Sequence, residues 1–334
     1  MKRGLKASMM KFCHICDESE LFKIDFKNTW SPLFENKQII VCKTCGFGRI
    51  DPRINTEKIT DFYSKTYRAK GSPHYVNFLT VTPSPFIFRA RSFAQLLLAF
   101  QYLKPKQHYN ILDIGAGLGN SYITATEIFG DNFDFFAMEE DKAATSYYKR
   151  QFPRINVSKD FSQLECRMDL IILSHSLEHF DFVDMRQLFA DIHRALVDDG
   201  IVMIEVPHAD FRNTLYREIR FKDTPHLSFF SLDSLQKLVR VYGFETCFLD
   251  TAGMAIEATF SSVSSDPSSL KSLFKKVIRK IWGHRYFSNF VYQQLLRIRK
   301  QRESGGRFLR DPSFQYGGNR AVLRCVIRKR SVPL

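Results

Sequence analysis

The stretch Ile111-Leu112-Asp113-Ile114-Gly115-Ala116-Gly117-Leu118-Gly119-Asn120 decides the fold. A short apolar run of strand character ends in an acid and then in three glycines at alternate positions. Glycine there lets the backbone turn sharply and lets a ligand lie against it with no Cβ in the way, so a nucleotide-type cofactor is the natural occupant. A dinucleotide fingerprint, GxGxxG, would need glycine at position 120, where the chain has Asn120. Asp113 would also repel a pyrophosphate, whereas an acid suits a ligand carrying positive charge.

On either side of this loop, short apolar runs alternate with helical patterns, the signature of βαβ units and a mainly parallel sheet. The expected strands are Asn110 to Ile114, Phe133 to Met138, Leu170 to Ser174, Ile201 to Val206, Phe244 to Leu249 and, last, Ala321 to Arg328. The expected helices are Ser121 to Phe129, Lys142 to Gln151, Asp184 to Leu196, and Leu232 to Tyr242 with Ser231 as its N-cap. Before the loop, Phe86, Phe93, Leu97 and Phe100 share one face of a helix from Pro85 to about Leu103, which Pro105 ends. Residues 56–80 read as a Tyr- and Pro-containing connection, residues 13–50 show few helix signals, and only the Ser-rich 261–269 reads as a linker.

The pattern DxGxGxG at Asp113, Gly115, Gly117 and Gly119 resembles the first motif of class I S-adenosylmethionine-dependent methyltransferases. That resemblance implies an α/β, Rossmann-like class I methyltransferase sheet with helices on both faces and S-adenosyl-L-methionine as cofactor, held at these four residues. It places the ribose on an acid at the end of the second strand, supplied by Glu139, 20 residues after Gly119. It places adenine near Asp160 or Phe161, although a solvated loop acid is an equal reading of Asp160. Asp169-Leu-Ile-Ile-Leu-Ser174-His175-Ser-Leu-Glu178-His179 resembles the family's DLI…LEH segment. In open α/β sheets ligands sit beyond the carboxyl ends of the strands, where Ser174, His175 and His179 fall; His175 is the better candidate to face the cofactor, and a structural role is the competing reading of His179.

Two CxxC pairs, Cys13/Cys16 and Cys42/Cys45, stand 25 residues apart, a spacing that suits two knuckles offering four thiolates to one structural Zn2+. Gly46 supplies the permissive backbone of the second knuckle. This zinc-ribbon-like module is expected in residues 1–55. It is followed by a connecting helical region in 56–107, a cofactor-binding core in 108–260, a basic helical insertion in 261–318, and a final strand and tail in 319–334.

Cys42-x2-Cys45-Gly46-Phe47, followed by Phe62-Tyr63-Ser-Lys-Thr-Tyr67, resembles the N-terminal region of bacterial methyltransferases of sugar and polysaccharide biosynthesis. Pro225-His226-Leu-Ser228-Phe229-Phe230-Ser231 likewise resembles their HLSYFS segment, in which the histidine serves as base. The family pattern HEHLSYFS departs here to Thr224-Pro225-His226, so both O- and C-methylation stay open. What the resemblance implies is a sugar, nucleotide-sugar or lipid-linked glycan acceptor, with His226 as base of first choice and His175 as second. A histidine that merely anchors the loop before Ser231 is the competing reading of His226.

Composition bounds the remaining classes. A hydrophobic fraction of 44% with 25% charge is globular, and no run is long and apolar enough for a bilayer span or a signal peptide, so a cytoplasmic location is expected. The net charge of +14 resides entirely from Asp266 onward, where 17 Lys and Arg face three acids. Lys271, Lys275, Lys276, Arg279 and Lys280 complement an apolar stripe of Leu273, Phe274, Val277, Ile278 and Ile281. Such a helix suits an anionic membrane surface at the inner face of the membrane, although packing of the apolar stripe on the domain itself is the more common arrangement. Nucleic acid is the rival partner, through an rRNA or tRNA methyltransferase reading. A degenerate methyltransferase-fold binding scaffold is the non-enzyme rival.

Overall fold

The structure, a computed structural model, describes residues 12–26, 31–72, 74–79, 90–213, 225–253 and 320–330. The expected linker and basic helix after residue 260, and Thr224, lie outside the described residues, as does the start of the helix expected from Pro85.

Eleven strands and six α-helices are described. Strands β1 (Leu21–Asp25), β2 (Gln38–Cys42) and β3 (Gly48–Asp51) precede helices α1 (Thr56–Lys65) and α2 (Ala90–Phe100). Then come β4 (Tyr109–Ile114), α3 (Asn120–Phe129), β5 (Phe133–Met138), α4 (Lys142–Gln151), β6 (Ile155–Ser158) and β7 (Met168–Ser174). The remainder is α5 (Phe182–Ala195), β8 (Leu196–Pro207), β9 (Ser228–Phe229), α6 (Leu232–Val241), β10 (Phe244–Gly253) and β11 (Arg320–Lys329).

The large sheet has seven strands in the order β10-β11-β8-β7-β4-β5-β6. Strands β6, β5, β4, β7 and β8 run parallel, while β11 pairs antiparallel with both β8 and β10. Period-two alternation along each central strand divides its side chains between two cores. Leu112, Ile171, Leu173, Val202 and Ile204 pack with Leu188, Phe189 and Ile192 of α5 and Leu235, Leu238 and Val239 of α6. Ile111, Leu170, Ile172, Ile201 and Met203 pack with Leu96 of α2, Ala125 of α3, and Tyr147 and Tyr148 of α4. Helices therefore cover both faces, as the apolar runs of the buried parallel strands require.

The chain departs and returns on either side of β4, whose neighbours are β5 and β7. That is the topological switch point, and a crevice opens beyond the carboxyl ends of these strands.

The second sheet has the order β1-β2-β3-β9. Its fourth strand comes from far along the chain: Gly48 pairs with Phe229 and Arg49 with Ser228. Phe34, Ile39, Val41 and Phe62 share a core with Ala209, Phe211, Leu227 and Phe229, so the N-terminal module is not a bead on a linker. Residues 56–65, read as connection from the sequence, are helix α1. Asn55 caps it by accepting from Glu57 N at 2.7 Å, and Ile59 and Phe62 turn inward three residues apart.

Candidate active site

The loop after β4 adopts the backbone that its glycines allow. Gly115, Gly117 and Gly119 have φ of 80°, 58° and 71°, the left-handed region that a Cβ disfavours. A Cβ at Gly115 would stand 2.9 Å from Ser176 Cβ, and one at Gly119 would stand 3.0 Å from Phe152. Gly119 thus serves the turn into α3, and Gly115 lines a cavity of about 430 Å3 at the switch point. Asp113 is buried at the end of β4 with Oδ1 unpartnered. Burial, with Glu139 adding to it against a bond from Ser121, raises its carboxyl to about 7.

Glu139 ends the next strand and is tied to the loop, accepting from Gly117 N at 2.9 Å and from Asp141 N at 3.1 Å. Asp141 caps α4. Arg68, from the segment after α1, brings Nη1 to 3.6 Å from Glu139 Oε2 and 3.7 Å from Asp141 Oδ2. Its guanidinium also lies over the Tyr67 and Phe78 rings. Asp160 and Phe161 line the same cavity, with Asp160 capping its short helix by accepting from Ser162 N at 2.9 Å. Ser174 is turned away to accept from Gln95 Nε2 at 2.9 Å, and Ser176 occupies the cavity wall in its stead.

A chain of buried ionisable groups continues from there. His175 has φ 54°, unusual without glycine, and that backbone holds its ring between two carboxylates. Nε2 is 3.2 Å from Glu205 Oε1 and Nδ1 is 3.3 Å from Glu178 Oε1. Burial and Arg91 oppose its protonation, yet the two carboxylates outweigh them and raise its pKa. Glu205, itself paired with Arg324 of β11, is held well below the carboxylate range despite its burial. The carboxylates on both sides of the His175 ring favour its protonated form, which makes it a poorer proton acceptor than a free imidazole.

His179 lines the cavity, and its Nδ1 is 2.5 Å from Tyr63 Oη, which donates to Pro225 O at 2.8 Å. His226 lies behind it, ring centroids 5.1 Å apart, and is not among the residues lining the cavity. Burial, opposed by Glu178, lowers the pKa of His226 to about 3 and also lowers that of His179, so both rings are neutral.

Residues 87–247 match the family model described as a methyltransferase domain. This stretch is a methyltransferase domain. It is of the S-adenosylmethionine-dependent kind whose first motif the glycine loop resembles. Similar solved structures include the plantazolicin methyltransferase BamL in complex with a triazolic desmethylPZN analog and SAH, at 14% identity and TM-score 0.44 over 72% of this chain and 85% of that one. The cyclopropane synthase MmaA2 from Mycobacterium tuberculosis matches at 14% identity and TM-score 0.45, over 71% and 82%. A SAM dependent methyltransferase from Archaeoglobus fulgidus matches at 16% identity and TM-score 0.42, over 72% and 94%. None of the curated proteins compared with the chain matches it.

Outside the methyltransferase domain, the four cysteines converge. Cys13 Sγ is 3.6 Å from Cys45 Sγ and Cys16 Sγ is 3.6 Å from Cys42 Sγ, with all four within 4.8 Å of one another. Bonds of about 2.3 Å to a tetrahedral zinc set sulfurs ~3.8 Å apart, so the four thiols fit that ion. Ile15 N and Cys45 N point at Cys13 Sγ and Cys42 Sγ, each at 3.5 Å. The knuckle docks on the domain, because Ser231 Oγ donates to Cys45 O at 2.5 Å and Arg212 Nη1 to Thr44 O at 2.8 Å. At Gly46, φ 75°, a Cβ would stand 2.8 Å from Ser231 Oγ.

Sequence reasoning missed Arg68, Glu205 and Arg324, and read Glu178 only as part of a motif. Arg68 follows the quoted Tyr63 and Tyr67, a signal that was present. Arg324 reads as one more basic residue of a strand, and only the pairing of β11 with β8 brings it to Glu205.

Proposed function

We propose that this methyltransferase acts on a sugar, nucleotide-sugar or lipid-linked glycan, methylating a hydroxyl or an enolisable carbon. One observation carries the reading. The segment resembling HLSYFS supplies the last strand of the cysteine module's sheet, and in doing so sets His226 beside buried Glu178 and cavity-facing His179.

When bound, S-adenosylmethionine supplies an electrophilic methyl on a sulfonium whose departure leaves a neutral sulfide. The residues then have two tasks, alignment and relief of the acceptor's proton. Gly115 and Gly117 give the ligand close approach to backbone, and Glu139 presents a carboxylate suited to ribose hydroxyls. Asp113 offers an anion toward the methionine ammonium. The Glu178–His179–His226 cluster is where the acceptor gives up its proton, with both rings neutral and a carboxylate behind them. His175 holds Glu178 in place. The four cysteines hold a structural zinc whose module carries β9 and Tyr63 to the site. A cytoplasmic enzyme peripheral to the inner membrane face fits this acceptor class.

The reading is tested by incubating the zinc-loaded protein with S-adenosylmethionine and panels of nucleotide sugars, lipid-linked glycans and RNA, following methyl incorporation by mass spectrometry. Methylated glycan supports it. Methylated RNA with salt-sensitive binding would replace it with the nucleic-acid reading.

A further inference from the structure

Glu178 is the least satisfied buried charge of the site. Its side chain is 1% exposed, and neither carboxylate oxygen has a hydrogen-bond partner. His175 stands at ion-pair distance without the alignment of a hydrogen bond, and it is shared with Glu205. His226 Nδ1 is also buried and unpartnered. Buried polar atoms in this condition point to a group that completes them.

His179 shows which group. The Tyr63 hydroxyl gives its hydrogen to Pro225 O, so at 2.5 Å it accepts from His179 Nδ1, and the ring is fixed in the tautomer that leaves a lone pair on Nε2. Ligating histidines are held in this way, their second nitrogen donating to an outer partner. One oxygen of Glu178 and one nitrogen each of His179 and His226 lie within 4.8 Å of one another, with Glu178 Oε1 to His226 Nε2 at 3.9 Å. Bonds of about 2.0 to 2.2 Å put ligand atoms ~3.3 to 4.4 Å apart, so a modest contraction closes the shell.

We propose that Glu178, His179 and His226 bind a divalent transition-metal ion whose remaining positions take two adjacent oxygens of the acceptor. Two imidazoles and one carboxylate suit Zn2+, Mn2+, Fe2+ or Co2+ better than Mg2+ or Ca2+. Neighbouring hydroxyls, the commonest feature of a sugar, are the matching chelate. A hydroxyl so bound is more acidic and loses its proton to water. The resulting oxyanion forms its bond to the methyl carbon as the carbon–sulfur bond breaks, the electron pair leaving on sulfur. This deepens the proposed reading and rests on the acceptor docking at the cluster, where the three side chains serve as ligands.

The test is titration of the zinc-loaded full chain with Co2+, followed by equilibrium dialysis and visible absorption, beside Glu178→Gln and His226→Asn. S-adenosylmethionine binding and retained cysteine-bound zinc serve as folding controls for both variants. The expected result is a second metal equivalent with ligand-field bands and no thiolate charge-transfer band, lost in both variants. One metal per chain in the unaltered protein, or a second ion indifferent to both substitutions, overturns the proposal. Glycan methylation at one metal per chain would sink this inference alone, whereas a second ion at these residues without glycan methylation would sink the acceptor reading and leave the site standing.

Discussion

Replacing Ser231 by Ala tests whether the cysteine module and the methyltransferase domain form one cooperative body. The buried hydroxyl has two duties. It donates to Cys45 O at 2.5 Å and accepts from Ser234 N at 3.1 Å as the cap of α6, while Ser234 Oγ answers by accepting from Ser231 N at 2.9 Å. Losing an N-cap hydroxyl costs about 1 kcal/mol. Leaving the buried Cys45 carbonyl without its donor costs roughly 1 to 3 kcal/mol more. The expected loss is thus about 2 to 4 kcal/mol, which lowers the melting temperature by roughly 3 to 6 °C in a chain of this size. Calorimetric melting of the zinc-loaded protein should show one transition, shifted as a whole. A shift below about 1 °C, or separate module and domain transitions with only the former moved, would refute the reasoning.

Two further outcomes follow from buried charges. Asp113 is raised to about 7, so the carboxylate that should meet the cofactor's ammonium is increasingly protonated below that pH. S-adenosylmethionine affinity should fall by up to about tenfold per pH unit beneath pH 7, a dependence that titrations of Asp113→Asn should no longer show. Arg324→Met takes from buried Glu205 its guanidinium partner on β11 and leaves it His175 and Arg91; breaking such a pair costs up to about 3 to 5 kcal/mol, and urea melts should show the second change, Glu205→Gln, restoring part of the loss.

The core of the fold was legible because parallel strands buried on both faces are runs of large apolar residues. Phe133–Met138 and Lys142–Gln151 stand where the runs and helical pattern put them, and Ser231 caps α6 as its position before the apolar stripe implies. Strand β6 was missed because Ile155-Asn-Val-Ser is short and half polar. Strands β1 to β3 were missed because two-residue alternation in so small a sheet carries little signal, and its last strand lies far along the chain. At the site, the glycines and Glu139 were readable from local backbone need. The pairing of Glu178 with three histidines was not, since it depends on Pro225 and His226 being carried back to the turn after β7 by the pairing of β9 with β3. Ser174 was expected on the rim because it ends β7, but Gln95 of α2 claims its hydroxyl and the chain reaches the cavity two residues later.

The central claim is met most directly by calorimetric titration of the zinc-loaded chain with S-adenosylmethionine, beside Gly117→Arg. Gly117 has φ 58° and a Cβ there would stand 3.5 Å from Arg68, so the substitution strains the loop and sets a second guanidinium against the first. The expected result is one cofactor bound per chain and no binding by the folded variant. A folded, zinc-loaded protein that binds no S-adenosylmethionine, or a variant that binds it undiminished, would contradict the assignment of this loop as the cofactor site.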